Sequence, residues 1–350
     1  MTVDQFPDRT ILVDGKTYLY FGGTSYLGMA TNPDFQNLLF ESIKTWGTSY
    51  GSSRNSNIQL RIYQEAEDLF SNNSGAEAAL TVSSGTLAGR LVIDYLAKTH
   101  EHFYHYPKTH PAILEHSSRP LFVDGALHSR LTDEVKETIV ITADALLSLA
   151  VQPTNFDFLD DISSSKTITL LIDESHSLGI VGKDGTGVFK TITHPSISQK
   201  IMISSLTKAY GCSGGVIVGN KDLIDNIRNV VVFISAAGMN PIFLQTFVKG
   251  QEIIQNQLKK LRENLQFVYG DDNLPQQFYY DHDYPVIYSH SNVIFDYLKS
   301  KGIIITNFKY PNYEALMNRI VITANHTRQD LEELKSALMA FQKETLLKDE

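Results

Sequence analysis

Apolar positions along this chain change period several times, and each change marks an element. Residues 10–21, TILVDGKTYLYF, alternate apolar and polar about an Asp14-Gly15 pair and predict a β-hairpin. A glycine-punctuated segment, GGTSYLGMATNP, follows, and a helix is predicted from Pro33 to about Trp46. GTSYGSSRNSN, residues 47–57, is polar and turn-forming. Ile62, Ala66, Leu69 and Phe70 then fall on one helical face. ALTVSS, residues 79–84, reads as a short buried strand, and Gly85-Thr86 opens a helical pattern to about Ala97.

Short continuous apolar runs recur at 112–114, 121–123, 138–142, 168–172 and 201–203, with Gly214–Gly219 as one more strand. Runs of this kind between helices and loops predict a mostly parallel sheet covered on both faces. From about 221 the pattern is helical, with Ile254, Leu258, Leu261 and Leu265 on one face of a long helix. After Gly270 come three alternating, aromatic-rich segments and a last helix carrying Leu331, Leu334 and Leu338. The expected organisation is an N-terminal hairpin and linking helix over 1–45, a large α/β domain over 46–245, and a small α+β domain over 246–350. The hairpin is expected to pack on the small domain or at an interface.

Composition narrows the function classes. A formal charge of −9 and a pI near 5.7 provide no basic stripe for nucleic acid. No run approaches the roughly 18 apolar residues of a membrane span. MTVDQFPDRT has neither the basic start nor the apolar core of a secretory signal. Cys212 is the single cysteine, which excludes an intramolecular disulfide and suits a reducing cytoplasm.

The chemistry concentrates between Thr169 and Gly219. TLLID ends an apolar strand in Asp173, with His176 shortly after; KIMISS ends another in Ser204-Ser205, with Lys208 following among small residues. Lys208 lies 35 residues after Asp173, with a strand close behind it. Ligands of open α/β sheets bind at such strand ends. A carboxylate there can keep a pyridine nitrogen protonated, and a lysine in a small-residue turn can become a nucleophilic amine. An acid after an apolar strand also serves magnesium sites and helix caps. Strand, Ser84-Gly85-Thr86 and helix together make an anion-binding turn, a common feature of α/β proteins. His100, His102, His105, His110 and His116 cluster between residues 98 and 118. Without a carboxylate-and-histidine helix spacing they read as exposed histidines on a connecting loop, and no metal is expected.

Several blocks in order resemble one family. YLYFGGTSYLGMA, GTSYGSSRNSN with Ser53-Arg54, SSGTLAG, DGALHS, LIDESHSLGIVGKDGTGV, SSLTKAYGCSGG and NRIVITANHTRQDLEEL resemble the α-oxoamine synthase branch of fold-type I pyridoxal-phosphate enzymes, which includes the 8-amino-7-oxononanoate synthases. The resemblance implies a three-layer α/β fold with a mostly parallel sheet, a smaller α+β C-terminal domain and pyridoxal 5'-phosphate as cofactor. It implies that Lys208 forms the Schiff base and moves the substrate α-proton. Asp173 would pair with the pyridinium, His128 stack on the ring, and His176 with Ser148 approach the phenolic oxygen. Ser84, Gly85, Thr86 and Ser205 would hold the phosphate or ring edge, and Arg319 the amino-acid carboxylate. The implied reaction is decarboxylative condensation of an amino acid with an acyl-CoA or other acyl thioester, in a homodimer with the site at its interface. An aminotransferase of class I/II type, or a degenerate relative without synthase activity, are the alternative readings. The chain departs from the family pattern at Thr24-Ser25, at Leu149-Ala150-Val151-Gln152, and at Ala237, where a hydroxyl is expected. These departures fall on substrate-facing and cross-subunit segments.

Overall fold

The computed structural model describes residues 1–148, 150–270, 274–309 and 316–346. Leu149, the first residue of one departure from the family pattern, lies outside them. β1 (Thr10–Val13) and β2 (Lys16–Phe21) form the N-terminal hairpin. Its turn residues Asp14 and Gly15 have φ of 49° and 76°. That is the mirror-image turn whose twist suits a tight hairpin, and Asp-Gly supplies it. Helices α1 (Pro33–Trp46) and α2 (Arg61–Ser74) follow, then β3 (Ala78–Val82) and α3 (Gly85–Leu96). Next are β4 (Phe103–His105), β5 (Arg119–Pro120), β6 (Phe122–Val123), β7 (Ala126–Leu127) and the single turn α4 (Ser129–Thr132). Long strands β8 (Glu137–Asp144), β9 (Lys166–Asp173) and β10 (Ile197–Ser205) precede β11 (Gly215–Gly219). Helices α5 (Lys221–Arg228), α6 (Val231–Ser235), α7 (Pro241–Lys249) and α8 (Gln251–Tyr269) come next. The chain ends in β12 (Phe278–Tyr280), β13 (Val286–Ser289), α9 (Ile294–Ser300), β14 (Ile303–Lys309), β15 (Leu316–Val321) and α10 (Arg328–Leu346).

Two compact units result. The larger comprises residues 33–148 and 153–251. Its seven-stranded sheet has the order β3-β11-β10-β9-β8-β4-β5. β10, β9, β8, β4 and β5 are mutually parallel, and β11 runs antiparallel to both its neighbours. Ile139, Val140 and Ile141 on β8 and Leu170, Leu171 and Ile172 on β9 are fully buried. Consecutive residues buried on opposite faces require cover on both sides, which is why these strands are unbroken apolar runs. α3 and α5 pack Leu91, Val92, Leu223 and Ile227 into one core with Leu80, Ile203 and Ile217.

Two apolar runs are not strands of this sheet. Residues 112–114 lie in and just after a 3₁₀ turn, Pro111–Ile113, where proline removes a ladder donor. Residues 121–123 lead into the separate β6–β7 ribbon. The His-rich segment instead contributes β4, parallel to β8.

The smaller unit comprises chiefly residues 1–32 and the described residues from Glu252 onward. Its six-stranded sheet has the order β1-β2-β14-β15-β13-β12, and β2 runs parallel to β14 with Leu19 opposite Ile303. The N-terminal hairpin is thus an edge of the C-terminal sheet. α10 opens with a reciprocal cap: Thr327 N–H donates to Asp330 Oδ2 at 2.8 Å, and Asp330 N–H to Thr327 Oγ1 at 3.3 Å. Among the described residues no helix is long and apolar enough to cross a membrane.

Candidate active site

In the larger unit β8, β9 and β10 all end at one edge of the sheet. Asp144 and Asp173 are the last residues of β8 and β9 and pair in register. Asp173 Oδ1 accepts the Ser175 N–H at 2.8 Å, and Ser175 Oγ accepts the Ser205 N–H at 2.8 Å. That chain of bonds ties the loop after β9 to the end of β10. Buried Glu174 anchors the same loop by accepting the N–H groups of Val188 and Phe189 and the Ser177 hydroxyl; burial pushes its carboxyl above the usual range. His176 is thereby held with its Nε2 at 2.9 Å from Lys208 Nζ. Asp173, His176 and Lys208, separate in sequence, share one strand-end edge.

The β3–α3 turn lies against this edge. Ser84 caps α3 through its Oγ, which accepts the Leu87 N–H at 3.1 Å. A Cβ on Gly85 would sit 2.7 Å from Ser205 Cβ, and one on Gly215 would sit 2.5 Å from the Ser84 carbonyl. Glycine at both positions lets the turn close on Ser205. The N–H groups of Gly85 and Thr86 have no partner within the helix, as in any first turn. Ser205 Oγ bonds Thr207 Oγ1 at 2.7 Å, which places two hydroxyls near the turn. A phosphate fits this cradle, an acid suits a protonated ring nitrogen, and the lysine amine suits an aldehyde. The residues therefore fit pyridoxal phosphate.

Two further histidines have defined contacts. His128 caps α4, its Nδ1 accepting the Arg130 N–H at 3.2 Å, and its ring meets Tyr104 edge-on at 5.3 Å. Its described contacts do not include Asp173, His176 or Lys208. His110 also feels the charges of Asp173 and Lys208. Its main-chain N–H donates to Asp144 Oδ1 at 3.0 Å and its Nδ1 accepts the Ala112 N–H at 3.2 Å. Burial lowers its basicity, with Asp173 opposing. The exposed-loop reading of residues 98–118 is also corrected. Of the five histidines only His116 is exposed; His102 pairs with Glu137 at 3.2 Å and His105 Nδ1 meets Ser118 Oγ at 2.9 Å. Two signals pointed to the missed residues. ETIVITAD ends an apolar run in an acid just as TLLID does, and His110 follows the strand neighbouring β8.

Ser148 is half-buried beyond the end of β8. Ser235 turns its hydroxyl back onto Val231 O at 2.7 Å, so it does not replace the hydroxyl missing at Ala237. In the smaller unit Arg319 lies on β15, 6% exposed. Its Nη2 donates to Gly23 O at 2.9 Å, while its buried Nε–H has no partner among the described residues. Tyr288 on β13 and Thr306 on β14 flank it in register. Beside the arginine, burial raises the Tyr20, Tyr26 and Tyr288 phenols and the guanidinium opposes.

A family model described as aminotransferase class I and II matches residues 153–338. The chain belongs to that family. It is a pyridoxal-phosphate-dependent transferase with the fold-type I architecture. It is 25% identical over 358 residues to a putative 8-amino-7-oxononanoate synthase of Rippkaea orientalis, covering 96% of this chain and 93% of that one. It is 28% identical over 273 residues to a serine palmitoyltransferase of Sphingobacterium spiritivorum, covering 74% and 67%. A solved serine palmitoyltransferase from S. paucimobilis, with a bound PLP–myriocin aldimine, superposes with a TM-score of 0.80 at 19% identity, covering 97% of this chain and 91% of that one. These relatives are of the α-oxoamine synthase kind that the motifs resemble.

Proposed function

We propose that this enzyme joins an amino acid to an acyl thioester, such as an acyl-CoA, with loss of carbon dioxide. The observation that carries the reading is the 2.9 Å contact of Lys208 Nζ with His176 Nε2 beside Asp173. Similarity to synthases and palmitoyltransferases over most of the chain directs it to condensation rather than amino transfer.

Pyridoxal phosphate, when bound, supplies a cationic ring that withdraws electrons from the substrate Cα. The chain's own groups hold and orient it. Lys208 anchors it covalently and then moves the proton at the substrate Cα. Asp173 keeps the ring nitrogen charged by opposite-charge stabilisation. His128 would stack on the ring, and His110 would hold Asp144 in place through its main-chain N–H. His176 and Ser148 serve the phenolic oxygen. Ser84, Gly85, Thr86 and Ser205 hold the phosphate. Arg319 binds a carboxylate with a guanidinium edge whose Nε–H has no partner among the described residues. A cytoplasmic homodimer completes the reading. Val231, Val232 and Ile234 on α6 are exposed at 77%, 49% and 38%, and the neighbouring Ser53 bonds Ile234 O, so a second copy has an apolar patch to cover.

The test is sequential. Purified protein is supplied with pyridoxal phosphate and reduced with borohydride, and a stable adduct on Lys208 is sought by mass spectrometry. Amino acids are then added with acyl-CoA, or separately with 2-oxo acids. Thiol and carbon dioxide release in the first mixture supports condensation; amino transfer in the second alone rejects it. An adduct with neither activity points to a cofactor-binding descendant.

A further inference from the structure

β8 and β9 stay in register to their last residues, so Asp144 and Asp173 are direct neighbours. Paired positions of a parallel ladder present side chains on the same face, on strands about 4.8 Å apart. Both acids are buried, at 4% and 6% exposure. Each accepts a neutral main-chain donor: His110 N–H to Asp144 at 3.0 Å, Ser175 N–H to Asp173 at 2.8 Å. The charged or titratable groups that face Asp144 are Asp173 from β9, His110 from the segment after β4, and Lys208 from the turn after β10. Among the described residues neither acid makes an ion pair. Burial beside a second carboxylate favours the neutral form of the Asp144 carboxyl, with Lys208 opposing. Cofactor chemistry places one cation there, the protonated ring nitrogen.

We propose that Asp144 is a positioning residue for the cofactor nitrogen: its carboxyl is held protonated in cofactor-free protein, and it would join Asp173 in facing the ring cation once the cofactor is bound. The inference rests on the cofactor reading given above. Burial, reinforced by Asp173, pushes the Asp144 carboxyl well above its ordinary value, in the direction this requires. The apolar run ending in Asp144 thereby becomes a second half of the acid site, and His110 orients it through the main chain.

Cofactor-free wild type and Asp144→Asn are melted between pH 4.5 and 8. The amide keeps the acceptor for His110 N–H and cannot ionise. A raised carboxyl contributes stability at low pH that is lost as pH rises above the ordinary carboxylate range. The variant should therefore gain on wild type by several degrees as pH rises, and added pyridoxal phosphate should narrow that gap. A gap that is constant with pH overturns the protonated Asp144. A gap that grows with pH but is untouched by a cofactor that stabilises both proteins overturns the pair's assignment to the ring nitrogen. If pyridoxal phosphate stabilises neither protein, the cofactor reading itself falls, which is a distinct result. Should the variant not fold, infrared spectra of wild type labelled with carboxyl-13C aspartate serve instead. A protonated-carboxyl band that vanishes on adding the cofactor supports the proposal, and its absence from cofactor-free protein overturns it.

Discussion

Lys208 Nζ and His176 Nε2 stand 2.9 Å apart although one follows β10 and the other follows β9. The register of β9 with β10, Ile203 opposite Asp173, sets this distance. A neutral imidazole here accepts from the lysine, so replacing either residue acts on the same amine. Lys208→Ala should abolish the borohydride-stable adduct and lower turnover by at least ~10³-fold. His176→Gln should keep the adduct and lose roughly 10²-fold in turnover. Mass spectrometry of the reduced protein and a steady-state assay check both.

His110 and His128 should part company on substitution. His110→Ala removes an imidazole that feels the charges of Asp173 and Lys208. It should weaken pyridoxal phosphate retention and shift the bound cofactor's absorbance. His128→Ala removes the ring proposed to stack on the cofactor together with a cap on Arg130 N–H; it should shift that absorbance and lower stability by about 1 kcal/mol. Cofactor titration and thermal melting separate the two. A cofactor spectrum left unchanged by His128→Ala would reject the stacking role.

How legible the site was in the sequence depended on whether motif and strand coincided. Asp173 and Lys208 each follow a long apolar run, so their strand-end positions were readable from burial alone. The hairpin was readable because Asp14-Gly15 is a turn with one favoured geometry. DGALHS has the right spelling, but it sits on the β6–β7 ribbon outside the main sheet. His110 belongs to no such block, and it follows a three-residue strand too short for periodicity to reveal. The placement of β1 and β2 against β14 was likewise open, because pairing across nearly the whole chain leaves no local pattern.

Arg319 offers a test confined to the smaller unit's chemistry. Its guanidinium bonds Gly23 O and Tyr288, and its buried Nε–H has no partner among the described residues. A lysine amine cannot form the planar two-point contact that this edge presents. Arg319→Lys should raise KM for the amino acid about 10–100-fold and change kcat much less, as expected for loss of ground-state binding. Equal losses in kcat and kcat/KM would move the arginine into the reacting step.

Stability should weaken in mild acid through His326. This ring stacks on Phe21 with centroids 4.0 Å apart. Its Nδ1 accepts the Thr323 N–H at 2.9 Å, and its Nε2 donates to Tyr20 O at 3.0 Å. A second proton on the ring would turn Nδ1 toward a donor and leave a buried cation. Burial accordingly lowers its pKa from the ordinary 6.5 to about 4. Above pH 6.5 both folded and unfolded chains carry neutral imidazole, and the group makes no pH-dependent contribution. As pH falls from about 6.5 toward 4 the unfolded chain binds a proton that the folded chain refuses, so stability is lost, up to about 3 kcal/mol. Below about 4 the folded chain binds it too and the slope ends. His326→Gln has no such titration: it should be less stable than wild type at pH 8 and lose less on going to pH 5. Melting temperatures of the two proteins across that range check the difference, and parallel curves would show that His326 is not the group responsible.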